Sequence, residues 1–117
     1  MYPVNNRTGE VVAYLHKNAI LHPTSFDVMG VVLGNCIFGP GAKVLGKSFH
    51  HKVYTVSGEL LALVEEQPQP VPQQVRNSSW MSEAWQILVR IKDHVCPWIP
   101  EKEVWSEFSL SEQLSLN

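Results

Sequence analysis

The chain has 117 residues, of which 44% are hydrophobic and 17% charged, so it is long enough and apolar enough for one domain with a packed core. Its formal net charge of −2 comes with dispersed lysines and arginines, which argues against binding to nucleic acid or to a membrane surface. An export signal, a membrane span and metal-type cysteine spacing are all absent from the sequence, which predicts a cytoplasmic protein with reduced cysteines.

One short pattern occurs four times in the first 65 residues: two aliphatic residues, a glycine or alanine, and then mostly apolar residues. The small residues are Ala13, Gly30, Gly46 and Ala62, separated by 17, 16 and 16 positions. A strand sends alternate side chains to opposite faces. We therefore expect the residues two before, at and two after each small residue to share one face. That face should converge on a crowded centre that admits only glycine or alanine.

The first three repeats also carry the signature of a hairpin. Lys17-Asn18, Gly34-Asn35 and His50-His51 fall where the tip of a tight turn is expected, and a second apolar pair follows each of them. The fourth repeat lacks its second strand, which Tyr2–Val4 could supply and so close the ring. The pattern predicts a pseudo-fourfold ring of hairpin repeats over residues 1–67, and the alternative is an ordinary β-meander with coincidental spacing.

Two of the repeats contain related segments, Gly-Glu-Val-Val-Ala-Tyr-Leu at residues 9–15 and Gly-Glu-Leu-Leu-Ala-Leu-Val at residues 58–64. With the opening Met-Tyr-Pro, they make residues 1–67 resemble the bacterial 4-fold β-flower proteins. The second repeat departs from that pattern, because it has Phe26-Asp27 in place of Gly-Glu. The resemblance implies a fold but brings no activity and no site residues. PRC-barrel domains are a weaker likeness, through a similar strand signal.

The rest of the chain divides into a Pro/Gln-rich connector at residues 68–78 and a helical segment with its tail at residues 79–117, packed on the β-unit. The predicted helix runs from about residue 80 to 94, and Ser109–Leu114 could form a further turn. The fold class is therefore mainly β, or α+β overall, with one amphipathic C-terminal helix.

The apolar arc of that helix is about 200° wide, more than one packing partner requires. We expect one neighbour to be the β-unit and the other to be either the tail or a second subunit. The residues of the predicted interaction surface are Met81, Trp85, Val89, Trp98 and Trp105.

No catalytic set and no cofactor motif is identifiable. His16, His50 and His51 are the candidates for a metal site, although their spacing matches no zinc motif, and Cys36 is expected to be packed. The sequence therefore favours a non-catalytic interaction or assembly module whose partner is a second copy or another protein. The alternative is a small-ligand or metal-binding protein, or an enzyme, that uses a rim bearing these histidines.

Overall fold

Eight short β-strands, joined by tight turns and loops, follow one another through the first 64 residues. The computed structural model describes residues 1–91, 98–102 and 104–115. Within them the strands are β1 (Tyr2–Asn5), β2 (Val11–His16), β3 (Ala19–Leu21), β4 (Val28–Leu33), β5 (Cys36–Phe38), β6 (Val44–Phe49), β7 (Lys52–Thr55) and β8 (Leu60–Val64). Three helices follow: α1 (Gln73–Arg76), α2 (Trp80–Leu88) and α3 (Leu110–Ser115). No helix of the described part is long and apolar enough to cross a membrane.

The eight strands form a closed antiparallel barrel in sequence order. β1 pairs with β2 and also with β8, where Val4 lies opposite Val64 and Asn5 opposite Leu63. The prediction that the first residues complete the ring is confirmed, and the fold is mainly β as expected.

The predicted hairpin tips are also confirmed. Lys17, Gly34 and His50, the first residue of each tip, have positive φ angles of 54°, 61° and 53°, and His51 follows with 60°. This left-handed conformation matches the twist of the strands on either side of a two-residue turn.

A β-bulge interrupts four of the eight strand pairings at the same place in the repeat. Register shifts follow Val4, Ile20, Ile37 and Val53, which pair with Ala13, Gly30, Gly46 and Ala62 respectively. In each case the residue just before the small one has no partner, because two residues of one strand oppose one residue of its neighbour.

The bulges correct part of the predicted face assignment. The extra residues, among them Leu45 and Leu61, pack inside the barrel in what we call the interior cluster, which includes Val53. Val28 and Val44 instead pack on a second set of buried side chains, the outer cluster, which includes Leu21 and Phe38. Val11, in the corresponding position of the first repeat, is exposed. The positions two before the small residues were therefore wrongly predicted to face the centre, because each bulge resets the alternation of side chains. Leu15, Val32 and Val64, two after the small residues, do line the interior.

The two glycines of the repeat lie against the backbone of the next strand. A Cβ atom on Gly46 would be 2.1 Å from the carbonyl oxygen of Tyr54, and one on Gly30 would be 2.5 Å from that of Phe38. Real Cβ atoms do not approach so closely. Crowding at these positions comes chiefly from the backbone of a neighbouring strand, and at Gly30 also from the Leu114 side chain, 3.2 Å from the same Cβ position.

Helix α3 closes the apolar interior. Leu110 and Leu114 are almost fully buried in the interior cluster, and the remaining cavity of about 20 Å³ holds at most one water-sized void. The side-chain amide of Gln113 donates to the carbonyl of Leu45 at 3.3 Å. The helical turn predicted near residues 109–114 is present, and it fills the barrel.

Helix α2 packs on the outside of the barrel, chiefly against β4 and to a smaller extent against β3. Trp80, Ala84 and Ile87 are buried there with Leu21 and Phe38. The helix ends at Leu88 and not at residue 94. The amides of Arg90 and Ile91 donate to Ile87 and Leu88 in tight turns that end the regular helix. Residues 92–94 lie outside the described part.

The connector between barrel and α2 contains structure that the sequence analysis did not expect. Residues 73–76 form the short helix α1 after Pro72, and Val75 is completely buried beside Trp80. Proline is compatible with a helix start, because the amide hydrogen it lacks would have had no partner in the first turn. The prolines thus stop at the point where the helix begins.

The oxidation state of Cys36 differs from the prediction. It is fully buried, as expected for a packed residue, but it is disulfide-bonded and not a reduced thiol. Cys96 lies outside the described residues.

The tail returns to the barrel on the side of β8. The amide of Leu60 donates to the carbonyl of Val104 at 2.8 Å, and the amide of Ser106 donates to the carbonyl of Leu60 at 2.7 Å. Leu60 and Trp105 form a parallel bridge. β8 lies across the barrel from β4, so this contact places Trp105 far from α2.

Candidate functional site

The outer face of α2, with the residue that caps its C-terminus, carries three large exposed apolar side chains. Met81, Trp85 and Val89 are 63%, 64% and 54% exposed, although they are among its most apolar residues. They are four residues apart, so they form one stripe along the helix. We call Met81, Trp85 and Val89 the α2 stripe. The part of the tail that the structure describes does not cover it.

A groove runs between α2 and the tip of the β2–β3 hairpin. It has a volume of about 760 Å³, and most of its lining is apolar. The hairpin contributes Lys17 and Asn18, and the helix contributes Ser79, Trp80, Met81, Ser82, Ala84, Trp85 and Leu88. We call it the α2 groove. It shares Met81 and Trp85 with the α2 stripe, whereas Val89 is outside it.

Trp80 joins the hairpin to the helix. Its ring contacts the ring of His16 edge to face, with centroids 4.8 Å apart, and the Lys17 ammonium lies 5.9 Å from its centroid. Such contacts between an aromatic ring and a cation or a ring edge are weakly stabilising. They fix the hairpin tip against the first turn of α2.

The electrostatic field at this corner is positive. Burial lowers the pKa of His16 below its ordinary value of 6.5, and the positive charges of the Met1 amino group and Lys17 lower it further. His16 is therefore mostly neutral at physiological pH and suited to packing against Trp80. The positive charge beside His16 is carried by the Met1 amino group and the Lys17 ammonium.

The structure does not bring the three predicted histidines together. His16 packs on Trp80, while His50 and His51 are exposed at the tip of the β6–β7 hairpin, where His50 contacts the Phe49 ring at 5.0 Å. Within the described residues, no three histidine, cysteine, aspartate or glutamate side chains are grouped as metal ligands would be. No observation supports a shared site at a histidine-bearing rim.

The structure groups three of the five residues of the predicted interaction surface and places Trp105 elsewhere, beside β8. Met81, Trp85 and Val89 form the α2 stripe. Trp98 is 82% exposed, and Trp105 is half-buried beside β8.

Sequence reasoning missed Lys17 and Asn18 as part of the groove. They precede α2 by more than 60 positions, and only the packing of α2 on the barrel brings them beside it. The one available signal was the wide apolar arc of the helix, which indicated a second neighbour without identifying it.

No protein-family model, curated protein or solved structure matches the chain. The resemblance to the 4-fold β-flower proteins therefore stays a prediction from the repeat pattern.

Proposed function

We propose that this protein is a non-catalytic assembly module that forms a homodimer through the α2 stripe. The observation that carries the proposal is the exposure of Met81, Trp85 and Val89, each more than half accessible on one face of a helix. Monomeric proteins seldom expose contiguous apolar patches of more than a few hundred Å² unless the patch binds something. Tryptophan is also the residue most enriched at interface hot spots.

A second copy of the chain fits the stripe well. In a twofold dimer each patch faces its own copy. If two α2 helices pack antiparallel with Trp85 at the axis, Met81 of one copy lies opposite Val89 of the partner subunit. The flanking residues Ser82 and Gln86 carry no charge, so the contact buries no pair of like charges, which would be costly.

We also infer that the barrel is a pseudo-fourfold β-flower built from one repeated hairpin. The four bulges at equivalent positions support this view. So does a recurrent bond at each tip: the amides of Val32, Ser48 and Val64 donate to the carbonyls of Asn18, Asn35 and His51, each at 2.8 Å.

A cytoplasmic location remains a prediction from the sequence. It rested partly on reduced cysteines, and the disulfide at Cys36 weakens that support.

Sedimentation equilibrium of the full chain tests the dimer. The parent protein should behave as a dimer, and Trp85→Glu should be a monomer with an unchanged circular dichroism spectrum, because the charge would be buried in the interface. Trp98→Glu is the control: it puts the same charge on a tryptophan that is outside the stripe and more exposed than Trp85, and it should remain dimeric. A parent protein that is monomeric at high concentration would contradict the proposal.

A further inference from the structure

The α2 groove combines a long apolar wall with a single cationic end. Trp80, Ala84, Trp85 and Leu88 form most of the wall, and Lys17 is the one charged residue in the lining. From Met81 to Leu88 the helix advances roughly 10 Å. The groove therefore has room for an alkyl chain of several carbons lying along the helix.

The charge of Lys17 is not neutralised in the described structure. Its ammonium lies against the Trp80 ring, and no carboxylate of the described residues forms an ion pair with it. The acidic residue of the first turn, Glu83, accepts a hydrogen bond from the Ser79 hydroxyl at 2.9 Å and is not part of the groove lining. An anionic group at this end would find a cation without displacing an existing partner.

The Ser82 hydroxyl and the Asn18 amide lie at the same end, beside the Ser79 hydroxyl that already donates to Glu83. Ser79, Ser82 and Asn18 are the polar uncharged residues of the lining. Asn18 follows Lys17 in the chain, and the two serines belong to the start of α2, where Trp80 contacts Lys17. Hydrogen-bond donors beside a cation suit a carboxylate, which accepts bonds through two oxygens. The opposite end of the groove offers only apolar contacts.

We propose that the α2 groove binds a medium-chain carboxylate, with the carboxylate at Lys17 and the alkyl chain along Trp80, Trp85 and Leu88. Burial of the chain supplies most of the affinity, and the charge sets the direction in which the ligand lies. The groove and the stripe share Met81 and Trp85, so the dimer would cover part of the groove wall. Lys17 lies only in the groove and Val89 only in the stripe, so variants at these two residues test the two proposals separately.

Isothermal titration calorimetry of the full chain with decanoate, below its micelle concentration, tests the site. We expect saturable binding of one decanoate per chain. Decyltrimethylammonium, which has the same chain with the opposite charge, should bind at least about fivefold more weakly, and acetate should not bind. Replacing Lys17 with glutamine should weaken decanoate binding about fivefold, as expected for one partly exposed ion pair.

Two further variants keep the result interpretable. Lys17→Arg retains the charge at the turn and should keep most of the affinity, which separates loss of charge from damage to the hairpin. Val89→Ser alters the stripe alone and should not weaken decanoate binding, because Val89 does not line the groove. Failure of the dimer is thus read from sedimentation, and failure of the ligand site from calorimetry.

Three results would overturn the proposal. One is equal affinity for the two oppositely charged amphiphiles, and another is a Lys17→Gln variant that binds decanoate as tightly as the parent. The third is binding to anionic phosphatidylglycerol vesicles without binding to free decanoate, which would assign the groove to a membrane surface.

Discussion

The barrel and the C-terminal segments are held in place by different kinds of contact. In the barrel, each strand is fixed by backbone pairing with the strands on either side, and the same bulge recurs opposite Val4, Ile20, Ile37 and Val53. No comparable pattern of backbone pairing positions the C-terminal helices. α2 lies outside through Trp80, Ala84 and Ile87, and α3 reaches the interior through two leucines. The barrel should therefore be most sensitive to backbone crowding, and the C-terminal segments to loss of a few buried side chains.

The largest expected effect is at a glycine of the barrel. Gly46→Ala places a Cβ where the Tyr54 carbonyl oxygen is 2.1 Å away, and separating β6 from β7 to relieve this should cost about 3 kcal/mol of the free energy of unfolding. Urea denaturation measures the loss. The control is Ala62→Gly at the equivalent position of the fourth repeat, which should cost only about 1 kcal/mol. A Gly46→Ala protein within about 0.5 kcal/mol of the parent would mean that the strands separate freely at the bulge.

A smaller loss is expected in the tail. Leu114→Ala removes a side chain that is 2% exposed inside the barrel, and we expect a cost of about 2 kcal/mol, at the low end for a buried leucine because α3 is a short helix. Trp98→Ala, which truncates a side chain that is 82% exposed, should change stability by less than about 0.5 kcal/mol. The same denaturation experiment compares them. Equal effects of the two changes would show that α3 does not anchor the tail.

The smallest effect concerns the junction of barrel and α2. The pKa of His16 lies below 6.5 in the folded protein, because of burial and the nearby amino groups. The unfolded chain therefore binds more protons, so this contribution to stability is present above pH 6.5 and is lost as the pH falls below it.

Denaturation at about pH 7.5 and about pH 5.5 should show a steeper loss of stability for the parent than for His16→Gln. The difference will be small, since solvent screens the ring. Identical pH dependence for the two proteins would show that His16 does not contribute to the pH dependence of stability.

Much of the barrel could be predicted from its sequence. Small residues 16 or 17 positions apart and turn-forming pairs such as Gly34-Asn35 follow from local chemistry, so they revealed the hairpins and the ring. The bulges could not be predicted, because an apolar bulge residue such as Leu45 suits the inner and the outer face equally well. The sequence pattern therefore looks the same with and without a bulge. The bulges are what placed Val28 and Val44 outside, against the expected alternation.

The candidate site was predicted only in part. The wide apolar arc of the helix correctly left Met81, Trp85 and Val89 without cover from the barrel. The position of Lys17 in the α2 groove could not be predicted, because it depends on where α2 packs on the barrel. No local sequence pattern encodes that contact. The connector was predicted incorrectly for a related reason. Its prolines indicated an extended chain, but residues 73–76 form α1, which is held in place by the buried side chain of Val75.

The pairing of β1 with β8 also has a consequence for how the chain folds. Every other strand pair in the ring joins neighbours in sequence, whereas Val4 meets Val64 across 60 positions. Local hairpins form fast and distant pairs slowly. During synthesis β1 emerges first and then has to wait for β8, so the nascent ring is open with two unpaired strand edges, the state in which β-proteins most readily join their neighbours. Ring closure is thus the folding step at which aggregation competes most strongly with formation of the native structure.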